Sequence, residues 1–264
     1  FEEKVGKNGG VVTTAQELRD AVAAGKETIC VYGQIDLGDI STTGGLTLQE
    51  NQKLVGVGYF GNYDTETIKF SSITATADAP DRYMFRLGYN GIVLSDLSVK
   101  YTNLVTTGNA HAININGGGN DKKYLTTLRN LDVSTTYSLS ENSAAPRGAV
   151  FSSNYAVTKF EGKVNINSSG NVGCGIFNYS FSTINFQSGS SVNIKTEGNY
   201  GYGIYSTINS TANINFGALV NIQTSGQKSY GIFVHNDSSL EAFGDLNIIC
   251  LQANAIHNSV THNN

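Results

Sequence analysis

From Gly148 onward, apolar and polar positions recur with a fixed period. The segments Gly148-Ala149-Val150-Phe151, Gly175-Ile176-Phe177-Asn178, Gly203-Ile204-Tyr205-Ser206 and Gly231-Ile232-Phe233-Val234 open successive units, their first glycines 27, 28 and 28 residues apart. Each unit then carries a Phe (Phe160, Phe186, Phe216, Phe243) and an alternating segment: Val164-Asn165-Ile166-Asn167, Val192-Asn193-Ile194-Lys195, Val220-Asn221-Ile222-Gln223 and Leu246-Asn247-Ile248-Ile249. Three units close on a turn at Ser169-Gly170, Glu197-Gly198 or Ser225-Gly226. A period in this range marks a solenoid, whose units bury their apolar faces only against their neighbours. Three short strand signals per unit and no internal helix predict an all-β, right-handed parallel β-helix with three strands per coil. At about 4.8 Å per coil, some eight coils make a rod of roughly 40 Å.

Before the repeat, Thr14-Ala15-Gln16-Glu17 has the form of a capping box, and Leu18 and Val22 give the next turns an apolar stripe. With Gly25 beyond its end, this predicts a short helix from about Ala15 to Ala24 that covers the first coil. Strands follow from Thr28, broken at Gly33, with a loop excursion around Thr76 to Arg82. The register extends backward if Phe85, Ile113 and Val150 or Ala149 occupy the slot of Ile176, Ile204 and Ile232, while Leu97-Ser98-Val99 and Leu131-Asp132-Val133 match Val164-Asn165-Ile166. The longer unit from Ala112 to Arg147 places its extra residues in loops at Gly117 to Lys123, Tyr137 to Arg147, or both. The chain therefore reads as one elongated domain over residues 1–264, with coils from about 28 to 258. The segment His257 to Asn264 offers no cap, which suits a rod cut from a longer one.

Within the coils, Ile176, Ile204 and Ile232 form an interior ladder, each worth on the order of 1.5 to 3 kcal/mol on burial. The preceding glycines mark a corner that needs either close backbone approach or positive φ. Asn165, Asn193, Asn221 and Asn247 point away from the interior as an amide ladder. Strict alternation sends Phe177, Tyr205 and Phe233 outward as an aromatic stripe and a candidate ligand platform; a bend at the glycine would instead tuck the rings into the core. Tyr59, Phe60 and Tyr63 are the corresponding candidates in a loop.

Composition narrows the chemistry. Gly 30 against Pro 2 and Trp 0, with 14% charged residues, fits an all-β solenoid. The net charge of −4 gives no basic footprint for nucleic acid. No apolar run is long enough to span a bilayer, and no basic amphipathic helix suits a membrane surface. Cys30, Cys174 and Cys250 are widely spaced without a CxxC pair and read as small buried hydrophobes. His111, His235, His257 and His262 form no HExxH or HxH arrangement and read as surface residues, so neither a metal nor a cofactor is expected. Sequons at Asn167, Asn178, Asn209 and Asn236 would matter only in a eukaryotic secreted protein. Arg82, Arg86, Arg129 and Arg147, with Asp78, Asp81, Asp96 and Asp132, could in principle supply a base and a cation site for β-elimination. Their spacing singles out no site, and a solvated surface is the expectation.

Two resemblances add to this. Val11 to Val22, Ile29 to Leu37, Leu54-Val55-Gly56-Val57-Gly58 and Val93 to Val99 resemble the start of pectate-lyase-like proteins, a likeness of scaffold over about the first hundred residues. The Trp-Ile-Asp-His signature of those lyases is absent. From Gly148 to Ile249, units such as Val220-Asn221-Ile222-Gln223-Thr224-Ser225-Gly226 followed by Tyr230-Gly231-Ile232-Phe233 resemble the repeat of bacterial autotransporter passenger domains. That resemblance implies a secreted, outer-membrane-displayed β-helix, commonly an adhesin that binds host-cell glycan or protein; the residues themselves present no catalytic constellation. A polysaccharide lyase or hydrolase on the same scaffold is the enzymatic alternative, and a bare stalk the structural one.

Overall fold

The computed structural model describes residues 9–57, 59–60, 69–120, 122–140 and 146–259. Among them the strands form a 15-stranded and an 8-stranded sheet, both parallel throughout, and the one antiparallel pair joins Tyr59–Phe60 to Lys69–Phe70. The chain is an all-β parallel β-helix with three faces. The larger sheet supplies two of them, because strands Ile92–Asn103 and Leu125–Tyr137 run around a corner from the first face to the second. That corner is the left-handed residue Asp96 in one coil and Asn130 in the next, with φ of 57° and 50°. Both residue types tolerate this conformation. One coil on, Gly162 takes the position and the strand splits into Val157–Glu161 and Lys163–Ser169. The 8-stranded sheet is the third face.

Register follows the repeat. On the third face Phe85 pairs with Ile113, Ile113 with Val150, Val150 with Ile176, Ile176 with Ile204 and Ile204 with Ile232, all fully buried. On the second face Val133 pairs with Ile166, then Ile194, Ile222 and Ile248. The three glycines before the ladder isoleucines answer to close approach, not to positive φ. A Cβ at Gly175, Gly203 or Gly231 would strike the γ2 methyl of Ile194, Ile222 or Ile248 across the core.

At the N-terminal end, helix α1 (Ala15–Ala23) carries the full capping box. Thr14 Oγ1 accepts from the Glu17 N–H, and the Glu17 carboxylate accepts from the N–H groups of Thr13 and Thr14. Leu18 and Val22 are buried against the first coil, and Gly25 follows at φ 70°. The side-chain amides of Gln49 and Gln52 donate to the carbonyls of Val22, Ala23 and Lys26, satisfying the last turn.

The structure corrects four expectations. The excursion placed at Thr76 to Arg82 is a short corner between strands Ser72–Ala77 and Arg82–Leu87. A second helical turn, α2 (Ile40–Thr43), buries Ile40 and is N-capped by Asp39, a pattern too short to show periodicity. The four phenylalanines are not equivalent: Phe160 and Phe186 are buried and stacked, but Ile214 fills the next rung, while Phe216 and Phe243 are exposed. Phe216 lies two residues past Ile214, in the turn before strand Leu219–Thr224, and Phe243 directly follows strand Ser239–Ala242. Finally, His111 and Arg147, read as surface residues, are buried. The extra length of the unit from Ala112 lies, as expected, between strands Ala110–Asn116 and Leu125–Tyr137 and between the latter and Arg147–Ser153.

Candidate binding flanks

On the third face the residue after each ladder isoleucine points outward. Phe151 pairs with Phe177, Phe177 with Tyr205, Tyr205 with Phe233 and Phe233 with His257. Their ring centroids are 5.1, 5.1, 5.1 and 4.9 Å apart. The column runs on past Phe151 to His111 at 4.2 Å and from there to Tyr83 at 5.6 Å. Beside it Tyr202 stacks on Tyr230 at 6.0 Å, and Tyr230 on His257 at 4.8 Å. Phe177 is only 7% exposed, whereas Tyr205 and Phe233 are half-buried.

The rings thus neither project freely nor enter the core. They pack on one another once per coil, alternating between near-parallel contacts (Phe177 on Tyr205 at 7°, Phe233 on His257 at 9°) and inclined ones (Phe151 on Phe177 at 47°, Tyr205 on Phe233 at 64°). Burial raises the phenol pKa values of Tyr202 and Tyr205 above the ordinary range. Of the loop candidates, Tyr59 and Phe60 are described in backbone only, as one arm of the small antiparallel pair, and Tyr63 lies outside the described residues. The sequence reading missed Phe151, Tyr202, Tyr230 and His257 as members of the stripe. The recurring Tyr-Gly-Ile at Tyr202 and Tyr230 was the available signal.

The second face is polar. Asn165 donates to the Asp132 carboxylate, Asn193 to Asn165 Oδ1 (2.9 Å), Asn221 to Asn193 Oδ1 (2.8 Å) and Asn247 to Asn221 Oδ1 (2.9 Å). Two residues along each strand, Asn167, Lys195, Gln223 and Ile249 form a second column. Between the columns lies an open trough of about 530 Å³. A second depression of about 490 Å³ shares Asp132 and continues toward the N-terminal coils past Ser98, Lys100, Ser72, Thr74, Gln34 and Asp36.

The groups considered for elimination chemistry do not converge. Arg147 is fully buried, and its five N–H groups go to Asn103 Oδ1 and the carbonyls of Val105, Thr107 and Gly108. Arg82 donates to the Ser41 carbonyl, and Arg86 lies over the Tyr83 ring at 4.7 Å. Asp96 and Asp132 accept from Asn130 and Asn165. Among the described residues no group of three or more His, Cys, Asp and Glu side chains could hold a metal ion. His111 is enclosed and neutral: its Nδ1 accepts the Gly148 N–H at 3.0 Å, and burial pushes its pKa down to about 3, helped by nearby Arg147. Cys30 and Cys174 are buried and Cys250 is half-buried. Asn178, one of the sequon residues, is buried and bonded to Ser206 and the Thr211 carbonyl.

No protein-family model matches the chain, and no curated protein matches it. Among solved structures it is similar to the A-module of a mannuronan C-5 epimerase from Azotobacter vinelandii, with 12% identity over 95% of this chain and 100% of that one, at a TM-score of 0.22. A likeness that slight assigns no activity to this chain.

Proposed function

We infer that the chain is a non-enzymatic binding module, a rod displayed outside the cell that attaches to host-cell glycan or protein through its aromatic flank. The observation that carries this reading is the contiguous, outward-facing column from Phe151 to His257 with Tyr202 and Tyr230 beside it. Half-buried aromatic rings gathered along one flank offer a partner apolar contact at the surface without first being unpacked from the core. Tyrosine rings offer an apolar body and a hydroxyl together, which suits both sugar and protein surfaces. Because the rings already brace one another, little side-chain freedom remains to be lost on binding. Display at a bacterial outer surface rests on the autotransporter-like repeat and is part of the same proposal.

The test is attachment of the 264-residue chain to host cells and to immobilised glycans, with and without Tyr205→Ser and Tyr230→Ser. Both side chains are half-buried at the flank, so the fold should persist with a modest fall in melting temperature. Attachment should drop at least ~10-fold, equivalent to about 1.4 kcal/mol. Unchanged attachment would remove the aromatic flank from consideration. New unsaturated uronate absorbance on incubation with a polyuronate would replace the reading with a lyase.

A further inference from the structure

The trough on the second face is a different kind of surface from the aromatic flank, and its two walls are in register along the rod. One wall is the column Asp132, Asn165, Asn193, Asn221 and Asn247; the other is Asn167, Lys195 and Gln223, ending on the apolar Ile249. We propose that this trough binds a neutral, extended, hydroxyl-rich polysaccharide lying parallel to the rod axis, with about one sugar per coil.

Three features carry the assignment. First, hydrogen-bonding capacity is left over. An Asn side chain has two N–H donors and two acceptor lone pairs. Asn193 spends one donor on Asn165 and one acceptor site on Asn221, and Asn221 does the same with its neighbours. Each half-buried rung therefore keeps a donor and an acceptor for a ligand hydroxyl, and the ladder holds both in fixed orientation.

Second, the spacing fits. Parallel strands repeat every ~4.8 Å, close to the advance of one pyranose in an equatorially linked chain, so successive sugars meet successive rungs. A helical glucan would leave the straight trough after a few units.

Third, the charge is balanced and engaged. The acidic Asp132 accepts from Asn165, Lys195 pairs with Glu197, and the depression beyond carries both Asp36 and Lys100. Neither a polyuronate nor a polycationic amino sugar finds a field of one sign. The absence of aromatic side chains from the two columns makes recognition depend on many weak polar contacts, and hence on chain length.

Calorimetric titration of the 264-residue chain with cello- and mannohexaose, and with hexagalacturonate as the charged control, tests this. At least one neutral hexasaccharide should bind with a dissociation constant of ~1 mM or tighter, and its trisaccharide at least ~10-fold more weakly. Lys195 and Gln223 are exposed. Lys195→Ala with Gln223→Ala should weaken binding at least ~10-fold without lowering the melting temperature. Tyr205→Ser with Tyr230→Ser should leave it unchanged, which separates this site from the aromatic flank. The proposal is overturned by no binding of any neutral hexasaccharide, by hexagalacturonate binding as tightly, or by loss of binding in the tyrosine pair but not in the trough pair. A dimer in sedimentation that Lys195→Ala with Gln223→Ala disperses would also overturn it, since a second copy would then occupy the trough.

Discussion

Ile208 holds φ at 57°, a left-handed conformation that costs a β-branched residue roughly 1 to 2 kcal/mol. The stacked turns of the same column place Asn154, Ser180 and Asn236 there, at φ of 54°, 52° and 50°. Ile208→Asn should therefore stabilise the chain by about 1 kcal/mol, read as a higher urea midpoint. A lower midpoint would mean that the partly buried Ile208 side chain contributes more than the turn costs. His111 sets a pH dependence. Its folded pKa of about 3 lies below the unfolded value of about 6.5, so the unfolded chain takes up the proton first. Its contribution is complete above pH 7 and is lost as the pH falls below 6.5, by about 2 kcal/mol at pH 5. That window lies above the ordinary carboxylate range. In His111→Gln, whose amide oxygen can still accept from Gly148, urea midpoints at pH 7 and pH 5 should move together, and an unchanged slope would place the titration elsewhere. Neither this burial nor that of Arg147 was legible in the sequence. The partners that enclose Arg147 are the Asn103 side chain and the backbone carbonyls of Val105, Thr107 and Gly108, some forty residues away, and carbonyls leave no mark in a side-chain pattern.

The elements, by contrast, were legible wherever one coil repeats the next. The Gly-Ile-aromatic segments and the Val-Asn-Ile segments each recur every 28 residues, and they fall on strands of the third and second face respectively. Alternation then placed the isoleucines inward and the amides on the opposite side: Ile176 and Ile204 are fully buried, and Asn221 bonds Asn193 along the polar face, while the rings stand between the two alternatives, with Phe177 only 7% exposed and Tyr205 and Phe233 half-buried. What alternation could not give is the relation between neighbouring rings. Whether a stripe offers faces or edges depends on side-chain torsions that a period does not encode. The same limit applies to the trough, whose second wall of Asn167, Lys195 and Gln223 has no common residue type. The glycine before each isoleucine is the sharpest point at which sequence and packing meet. Gly203→Ala would press a methyl against Ile222 and the Gly231 carbonyl, and neither strand can retreat without shifting its own neighbours. Overpacking of this kind should cost about 3 kcal/mol and leave the coils after Gly203 the most protease-sensitive. Wild-type melting would show that the corner yields more easily than its geometry implies.

At the scale of the whole molecule, a rod of stacked coils has two ends, and each exposes unpaired strand backbone unless something covers it. Helix α1 covers the first coil with Leu18 and Val22, while Gln49 and Gln52 tie its last turn to the next coil. This arrangement was written plainly in the Thr14 to Glu17 capping box and the apolar stripe behind it. The early coils were harder to read, because insertions vary their length and hide the period until Gly148. The last described coil is open by comparison: Ile249, Leu251 and Ile256 are 59%, 62% and 49% exposed. Deleting residues 1–27 would remove α1 and the strand Gly10–Val12, leaving Thr28–Val31 without its outer partner. The truncated chain would then carry two open ends with strands running in the same direction, so that one molecule can continue the coils of the next. Such a contact is head-to-tail and does not close on itself, and it leads to filaments rather than to a dimer. Sedimentation velocity and electron microscopy should accordingly find concentration-dependent, elongated assemblies of the truncated chain. The added variant Leu251→Lys, which charges the opposite end, should suppress them. If the truncated chain instead remained monomeric, the first coil would be protecting its own edge and α1 would contribute only local stability.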